Sequence, residues 1–269
     1  MLSKLTIEHY DTITELRAPV KRKFLCFGKL FSGLDNMTDK KLRISSHYLG
    51  ESGKMYFEGG FKKESEPGRL FQARHFQPYC DEGLDLLDFG CADGFFLRAL
   101  PARRRIGIEV NPAARQRCEE LCREENTSIE LHETLSSVEN EAVDIIISNH
   151  CLEHVPNPIE NLEQMRRCLR PQGDLLLVVP FDDWRNNKHK NWRAGDTDFH
   201  LYTWSPMNLG NLVCDAGFHV ITSNICSQAW SPKILWIQTY MGDFFFKIAC
   251  RLLSEIRNRR EVFLAAKKM

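Results

Sequence analysis

The sequence predicts an α/β fold, with a parallel sheet covered by helices on both faces. Three observations carry that expectation. From Asp85 onward, short apolar runs alternate with longer helical patterns; prolines open several of those patterns; and a glycine-spaced turn follows the first run. The runs are apolar almost throughout, as strands buried on both sides require.

Strands are expected at "DLLDFG" (85–90), "RIGIEV" (105–110), "SIELHE" (128–133), "VDIIISNH" (143–150), "GDLLLVVP" (173–180), "HVITSNIC" (219–226) and "EVFLAAKK" (261–268). Helices are expected over 94–100, 112–125, 158–170 and 205–216, with Pro112, Pro158 and Pro206 at or near their first turns. The last two strands are separated by 227–260, which holds the aromatic helical stretch "ILWIQTYMGDFFFKIACRLLSEI". Residues 1–80 lack the alternation and read as an N-terminal cap on a domain spanning 81–269.

Composition narrows the function classes. With 269 residues, 43% of them hydrophobic, one large domain with an appendage has a sufficient core. Lys+Arg and Asp+Glu are each 36, so no global basic field draws the chain to nucleic acid. The 10 cysteines form no tandem C-x-x-C pairs and read as reduced thiols, neither a disulfide framework nor a zinc site. The opening "MLSKLTIEHYDTITEL" lacks the uninterrupted apolar core of a secretory signal. No segment reaches the ~18–20 apolar residues of a membrane span. A cytoplasmic protein is expected.

The turn after the first strand runs Asp88-Phe-Gly90-Cys-Ala92-Asp-Gly94. Gly90 permits backbone angles closed to other residues, and Gly94 lets the next helix approach closely. A dinucleotide turn would aim a helix N-terminus at a pyrophosphate. Here Asp88 closes the strand and Asp93 sits in the turn, a poor lining for phosphate and a good one for a cationic cofactor. Glu109 ends the second strand about twenty residues later, where an acid accepts ribose hydroxyls.

These stretches resemble the class I S-adenosylmethionine-dependent methyltransferases, including bacterial enzymes of small molecules and sugars. "LLDFGCADGFFL" is similar to their first motif, "IGIEVNPAA" to the second, "DIIISNHCLEHVPNP" to the fourth-strand motif and "LRPQGDLLLVVP" to the fifth-strand motif. The resemblance covers roughly 81–269. It implies a Rossmann-like sheet of seven strands, mostly parallel with an antiparallel last strand. It also implies S-adenosylmethionine as cofactor, with 181–206 and 227–260 as insertions on the acceptor side. By resemblance, Asp88, Gly90 and Gly94, with Cys91, Ala92 and Phe95 around them, hold the methionine part. Glu109 and Val110 take the ribose, Thr134 and Leu135 lie near the adenine, and Ser148 and Asn149 back the methionine region. One position departs from the family: Ala92 stands where its middle glycine would be, a small addition that still lets the cofactor pass.

Methyl transfer chiefly needs alignment and exclusion of water, plus a base where the acceptor is a hydroxyl. The base candidates are His150, His154 and His200. At one-turn spacing, His150, Glu153 and His154 converge as a base site, as a divalent-metal site related to the E-x-x-E-H motif of some quinone and RNA methyltransferases, or as a hydrogen-bonded buttress of the loop. No metal is assigned. A second cluster, "WRNNKHKNWRAGDTDFHLYTWSP" (184–206), offers aromatics and amides to a sugar ring and Arg185 or Arg193 to a phosphate. Alternatively it is a loop anchored by its tryptophans.

"YLGESGKMYF", with Tyr48, Tyr56 and Phe57 and the nearby Gly50, Gly53, Gly59 and Gly60, reads as a lid or as an ordinary packed cap. Basic stretches at 20–31 and 244–260 suit either peripheral membrane contact or helix packing. The expected activity is O-methylation of a sugar, free or nucleotide- or lipid-linked, or of another small polar metabolite. The alternatives are a metal-assisted quinone or phenol O-methyltransferase and a catalytically silent binding module.

Overall fold

The computed structural model describes residues 44–60, 66–181, 191, 192, 194, 199–226 and 231–269. The basic stretch 20–31, Cys26, Arg185 and Arg193 lie outside the described residues. Residues 41–269 form one compact unit.

Seven strands make one sheet: β1 (Asp85–Phe89), β2 (Arg104–Ile108), β3 (Glu130–His132), β4 (Val143–Asn149), β5 (Leu169–Pro180), β6 (Phe218–Cys226) and β7 (Glu261–Lys268). Their order is β3-β2-β1-β4-β5-β7-β6, with β7 antiparallel to both its neighbours. The turn in strand order between β1 and β4 opens a crevice at the carboxyl ends, where open α/β sheets bind their ligands.

The central strands are apolar throughout because both faces are covered. Leu87, Ile146, Leu175 and Leu177 enter one core, while Leu86, Ile145, Ile147 and Leu176 enter the other. Each such side chain taken out of water stabilises the fold by about 1.5–3 kcal/mol. The first face packs α5 (Pro158–Cys168) and α6 (Pro206–Asp215) through Leu162, Met165, Leu209 and Val213. The second packs α3 (Phe95–Ala99) through Phe95, Phe96 and Leu97.

Helix starts follow local chemistry. Asn111 accepts hydrogen bonds from the amides of Ala113 and Ala114 and caps α4 (Pro112–Glu124). Ser205 and Asn208 form a reciprocal capping box at the start of α6.

The largest departure from the expected boundaries lies between α5 and β5; β2 and β3 are also each shorter than expected by up to two residues at an end. The helix expected over 158–170 ends at Cys168, and β5 begins at Leu169. Pro171 lacks a donor and pushes the residue before it to extended angles, so the last helical turn cannot form. Gln172 then takes φ +66°, and the β4–β5 register shifts between Val143 and Ile145.

The described residues between 44 and 79 belong to the compact unit and are largely helical. They hold α1 (Gly50–Gly60) and α2 (Glu66–Ala73). Gly53 lies inside α1, so it is no hinge; a Cβ there would meet Tyr48 O at 2.2 Å. The stretch between β6 and β7 holds α7 (Leu235–Met241) and α8 (Asp243–Arg257), broken at Gly242 with φ +84°. No helix of the described residues is long and apolar enough to cross a membrane.

Candidate active site

A cavity of about 370 Å³ opens at the carboxyl ends of β1, β2 and β4. Its floor is the turn after β1, where Gly90 has φ +81° and Gly94 φ +74°. Both positions exclude a side chain. A Cβ on Gly90 would meet Cys151 Sγ at 2.4 Å, and one on Gly94 would meet Cys118 Sγ at 2.5 Å. Ala92 also lies in the left-handed region, at φ +50°, with its amide donating to Glu109 Oε2 at 2.9 Å.

Gly90, Cys91, Ala92 and Phe95 line the cavity, as do Glu109 and Val110. Thr134, Leu135 and Asn149 line it farther round. Gly94 and Ser148 stand behind the wall; Ser148 Oγ is buried and donates to Phe89 O at 2.9 Å, bracing β4 against β1. Asp88 is likewise behind the wall and 1% exposed, and neither of its carboxylate oxygens has a hydrogen-bond partner. Burial raises its pKa well above the carboxylate range, and the nearby charges of Glu109 and Asp93 add to this.

Glu109 accepts from the Asn111 amide at 2.8 Å as well as from Ala92, which fixes its carboxylate at the end of β2 with lone pairs to spare. Burial raises its pKa too, against those amide donors. Asp93 behaves differently from the sequence expectation of a free anion in the turn. Arg69 of α2 pairs with both its oxygens at 2.7 Å and lies over the Phe95 ring at 4.2 Å. With Asp93 paired to Arg69 and Asp88 buried behind the wall, Glu109 is the strand-end acid that reaches the cavity.

The loop after β4 supplies the second half of the site. His150 has φ +50°, and Leu152–His154 form a single 3-10 turn. His150 Nε2 meets Glu261 Oε1 at 2.9 Å and its Nδ1 lies 3.4 Å from Glu153 Oε1. Burial opposes charge on His150, but the two carboxylates outweigh it and hold its pKa up to about 10. Glu153 is 0% exposed; burial works against its ionisation, and His150 overcomes this to keep its pKa below the ordinary value.

His154 is the opposite case. Burial depresses its pKa to about 4, the adjacent Glu153 only partly restoring it. Its Nδ1 shares a hydrogen bond with the Tyr48 hydroxyl, and its Nε2 lies 3.8 Å from Glu153 Oε1.

The segment after β5 closes over this turn. Leu201 and Tyr202 donate their amides to Glu153 O at 2.8 and 3.3 Å, which brings His200 beside His154, ring centroids 4.8 Å apart. Ligand atoms of Glu153, His154 and His200 lie within 4.8 Å of one another. Trp204 is buried in the core and Tyr202 bonds Pro156 O, so this segment is anchored, while Trp192 is 88% exposed. His47 stacks on Phe199 at 4.7 Å, and Tyr48 meets Tyr56 edge-on at 5.1 Å.

Residues 63–223 match the family described as "Methyltransferase domain", more than half of the chain. The chain belongs to that family. An uncharacterized methyltransferase of Mycolicibacterium vanbaalenii is 31% identical over 105 residues, covering 38% of this methyltransferase and 40% of the relative. The chain spans less than half the length of the curated relatives it matches. Among solved structures, a chain of the complex between the Haloferax volcanii Trm112 methyltransferase activator and a methyltransferase superposes with TM-score 0.55. It is 17% identical, over 82% of this chain and 98% of that one. An S-adenosylmethionine-dependent methyltransferase of Mesorhizobium loti superposes with TM-score 0.53 at 16% identity, over 78% and 99%.

The cofactor of this methyltransferase is S-adenosylmethionine. The lining fits it: Glu109 offers acceptors to ribose hydroxyls and Gly90 clears the floor, with the orphaned carboxyl of Asp88 buried behind them. Tyr48, Tyr56, Arg69 and Gln72 also line the cavity, and of these Arg69 and Gln72 were absent from the motif reading. They sit on or before α2, outside every motif, and a lone Arg or Gln on a helix carries no periodic signal.

Proposed function

We propose that this methyltransferase transfers a methyl group to a hydroxyl oxygen of a sugar or other small polar metabolite, with His154 as the proton acceptor. The observation that carries the reading is a buried, uncharged imidazole on the cavity wall, with a tyrosine hydroxyl on one nitrogen and an ionised carboxylate behind the other. Glu153 favours the tautomer with its hydrogen on Nε2, which leaves the Nδ1 lone pair for a proton. Tyr48 reaches that nitrogen and lines the cavity, so it relays the proton from the acceptor hydroxyl. His150, held charged between two carboxylates, has no lone pair to offer and instead fixes Glu153.

Glu109 would hold the ribose of S-adenosylmethionine, with Asp88 behind the floor at its methionine end, and the cofactor would supply a methyl group already activated by the sulfonium. As the acceptor oxygen takes the methyl, its proton passes to His154. The aromatic rim of His47, Tyr48, Tyr56 and Phe199 suits the apolar face of a sugar ring.

A screen of hydroxylated acceptors, read by S-adenosylhomocysteine release, tests the class. With a working acceptor and saturating cofactor, His154→Ala should lower turnover by about 10²–10⁴-fold, the usual range for a lost acid-base group. Tyr48→Phe should lower it less, and His200→Ala least. Near-normal turnover of His154→Ala overturns the base assignment. Absence of S-adenosylmethionine binding in a calorimetric titration would restore the silent-module reading.

The proximity of Glu153, His154 and His200 favours a second reading, a metal-assisted phenol or quinone O-methyltransferase. Here His200 replaces His150 in the ligand set expected from the sequence. Activity abolished by chelation and restored by a divalent cation selects it; chelator-resistant turnover selects the first.

A further inference from the structure

On α8, Phe246, Cys250 and Ser254 are buried and form the packed face. The opposite face is apolar as well. Phe244, Phe245, Ile248, Leu252 and Ile256 are 42–82% exposed, and Trp236 and Tyr240 of α7 are 53% and 83% exposed. A helix that packs by one face normally turns charge to the other.

The border of this apolar face is cationic. Residues 231–260 hold six Lys and Arg against two acids, in a chain whose totals balance at 36 each. One of the acids, Asp243, is already paired with Arg74 at 2.9 Å. Lys247 and Arg251 are exposed, and neither forms an ion pair among the described residues.

Between α8, α2 and the end of β6 lies a second cavity, lined by Arg74, His75, Lys247 and Arg251 and by Phe71 and Cys226. Arg74 Nη1 is buried in this region and has no acceptor. Arg74 pairs with Asp243 through Nη2 and leaves Nη1 without a partner among the described residues, and the cations Lys247 and Arg251 beside it, likewise unpaired there, suit a phosphate.

We propose that the α7–α8 face docks on an anionic bilayer, its aromatic and aliphatic side chains entering the interface and a phospholipid phosphate seated among Arg74, Lys247 and Arg251. Trp and Tyr favour the headgroup level, and flanking Lys and Arg extend their charges to it. The inference does not depend on the acceptor reading above.

The test uses the full chain and vesicle co-sedimentation, with phosphatidylcholine alone and with added phosphatidylglycerol. Binding is expected only to the anionic vesicles and should weaken as salt rises. The pair Lys247→Glu and Arg251→Glu should lower vesicle affinity at least about thirtyfold, at about one surface-charge contribution per cation. Ile248→Ser with Leu252→Ser should lower it independently of charge. Both double variants should keep the wild-type melting temperature and S-adenosylmethionine affinity. Three results overturn the proposal: no sedimentation with either vesicle, binding indifferent to both double variants, or a wild-type dimer that Leu252→Ser dissolves, which makes the face an interface between copies.

Discussion

Single residues at the cavity floor set the shape of the proposed cofactor site. Ala92 adopts φ +50°, an angle that costs an L-residue with a Cβ about 1–2 kcal/mol. Glycine relieves that strain and gives part of it back as unfolded-state entropy. Ala92→Gly should therefore raise unfolding stability by about 0.5–1 kcal/mol, read as a shift in denaturant midpoint; an unchanged or lower midpoint would mean the turn is unstrained. Glu109→Ala removes the acceptors fixed by Asn111 and Ala92. It should weaken S-adenosylmethionine binding by about 1.5–3 kcal/mol in a calorimetric titration, as lost charge-assisted hydrogen bonds do. Unchanged affinity would remove the ribose role from Glu109. The places of Asp88 and Glu109 at the strand ends were legible in the sequence because a strand end and a glycine turn are local features. The strain at Ala92 was not, since its cost depends on a backbone angle that residue identity alone does not fix.

At the scale of elements, the 3-10 turn after β4 is held from both sides, and that makes it pH-sensitive. His150 faces Glu153 of its own turn and Glu261 of β7, with His75 and His154 close by. Its folded pKa of about 10 stands above the ordinary value of about 6.5. The stabilisation is therefore complete below about pH 6.5 and is lost as pH rises through about 10. The urea midpoint should fall across that window, and His150→Gln should flatten the fall; a variant that keeps the wild-type slope would assign the loss elsewhere. Sequence spacing anticipated that His150, Glu153 and His154 converge. It did not anticipate the contacts of His154 with Tyr48 or His200, because partners 106 and 46 residues away are joined only by tertiary packing.

Across the whole molecule, the two ends of the sheet do different work. At the amino ends of the strands, Asp85 accepts from Arg103 and Arg170 at 2.9 Å, and Asp144 accepts from Arg170 at 2.7 Å and from the Asp85 amide at 2.8 Å. The Arg103 hydrogen bonds hold the Asp85 carboxyl below its ordinary pKa, against its burial. That stability is present above about pH 4 and is lost as pH falls through the folded value. Asp85→Asn should cost about 1.5–3 kcal/mol, the range for hydrogen bonds to a charged group, and should soften acid unfolding. It should leave S-adenosylmethionine affinity unchanged, because the cavity lies at the opposite strand ends; a parallel loss of affinity would mean the two ends are coupled. The positions of the strands followed from alternation, while the helices at 50–60 and 66–73 escaped notice because their charged, glycine-rich sequence carries no clear helical period.

The pairing of Cys226 with Glu261 has a consequence for how this chain can be re-engineered. The 34 residues from 227 to 260 leave the sheet and return to the same rung. They are a detachable module spliced into a hairpin, and a two-residue Asn-Gly connector has the right geometry to replace them. Such an excised variant would bare Phe71, which packs on Phe246, yet it keeps every residue assigned to cofactor and acceptor. It should still bind S-adenosylmethionine, separating the chemistry from the proposed docking surface.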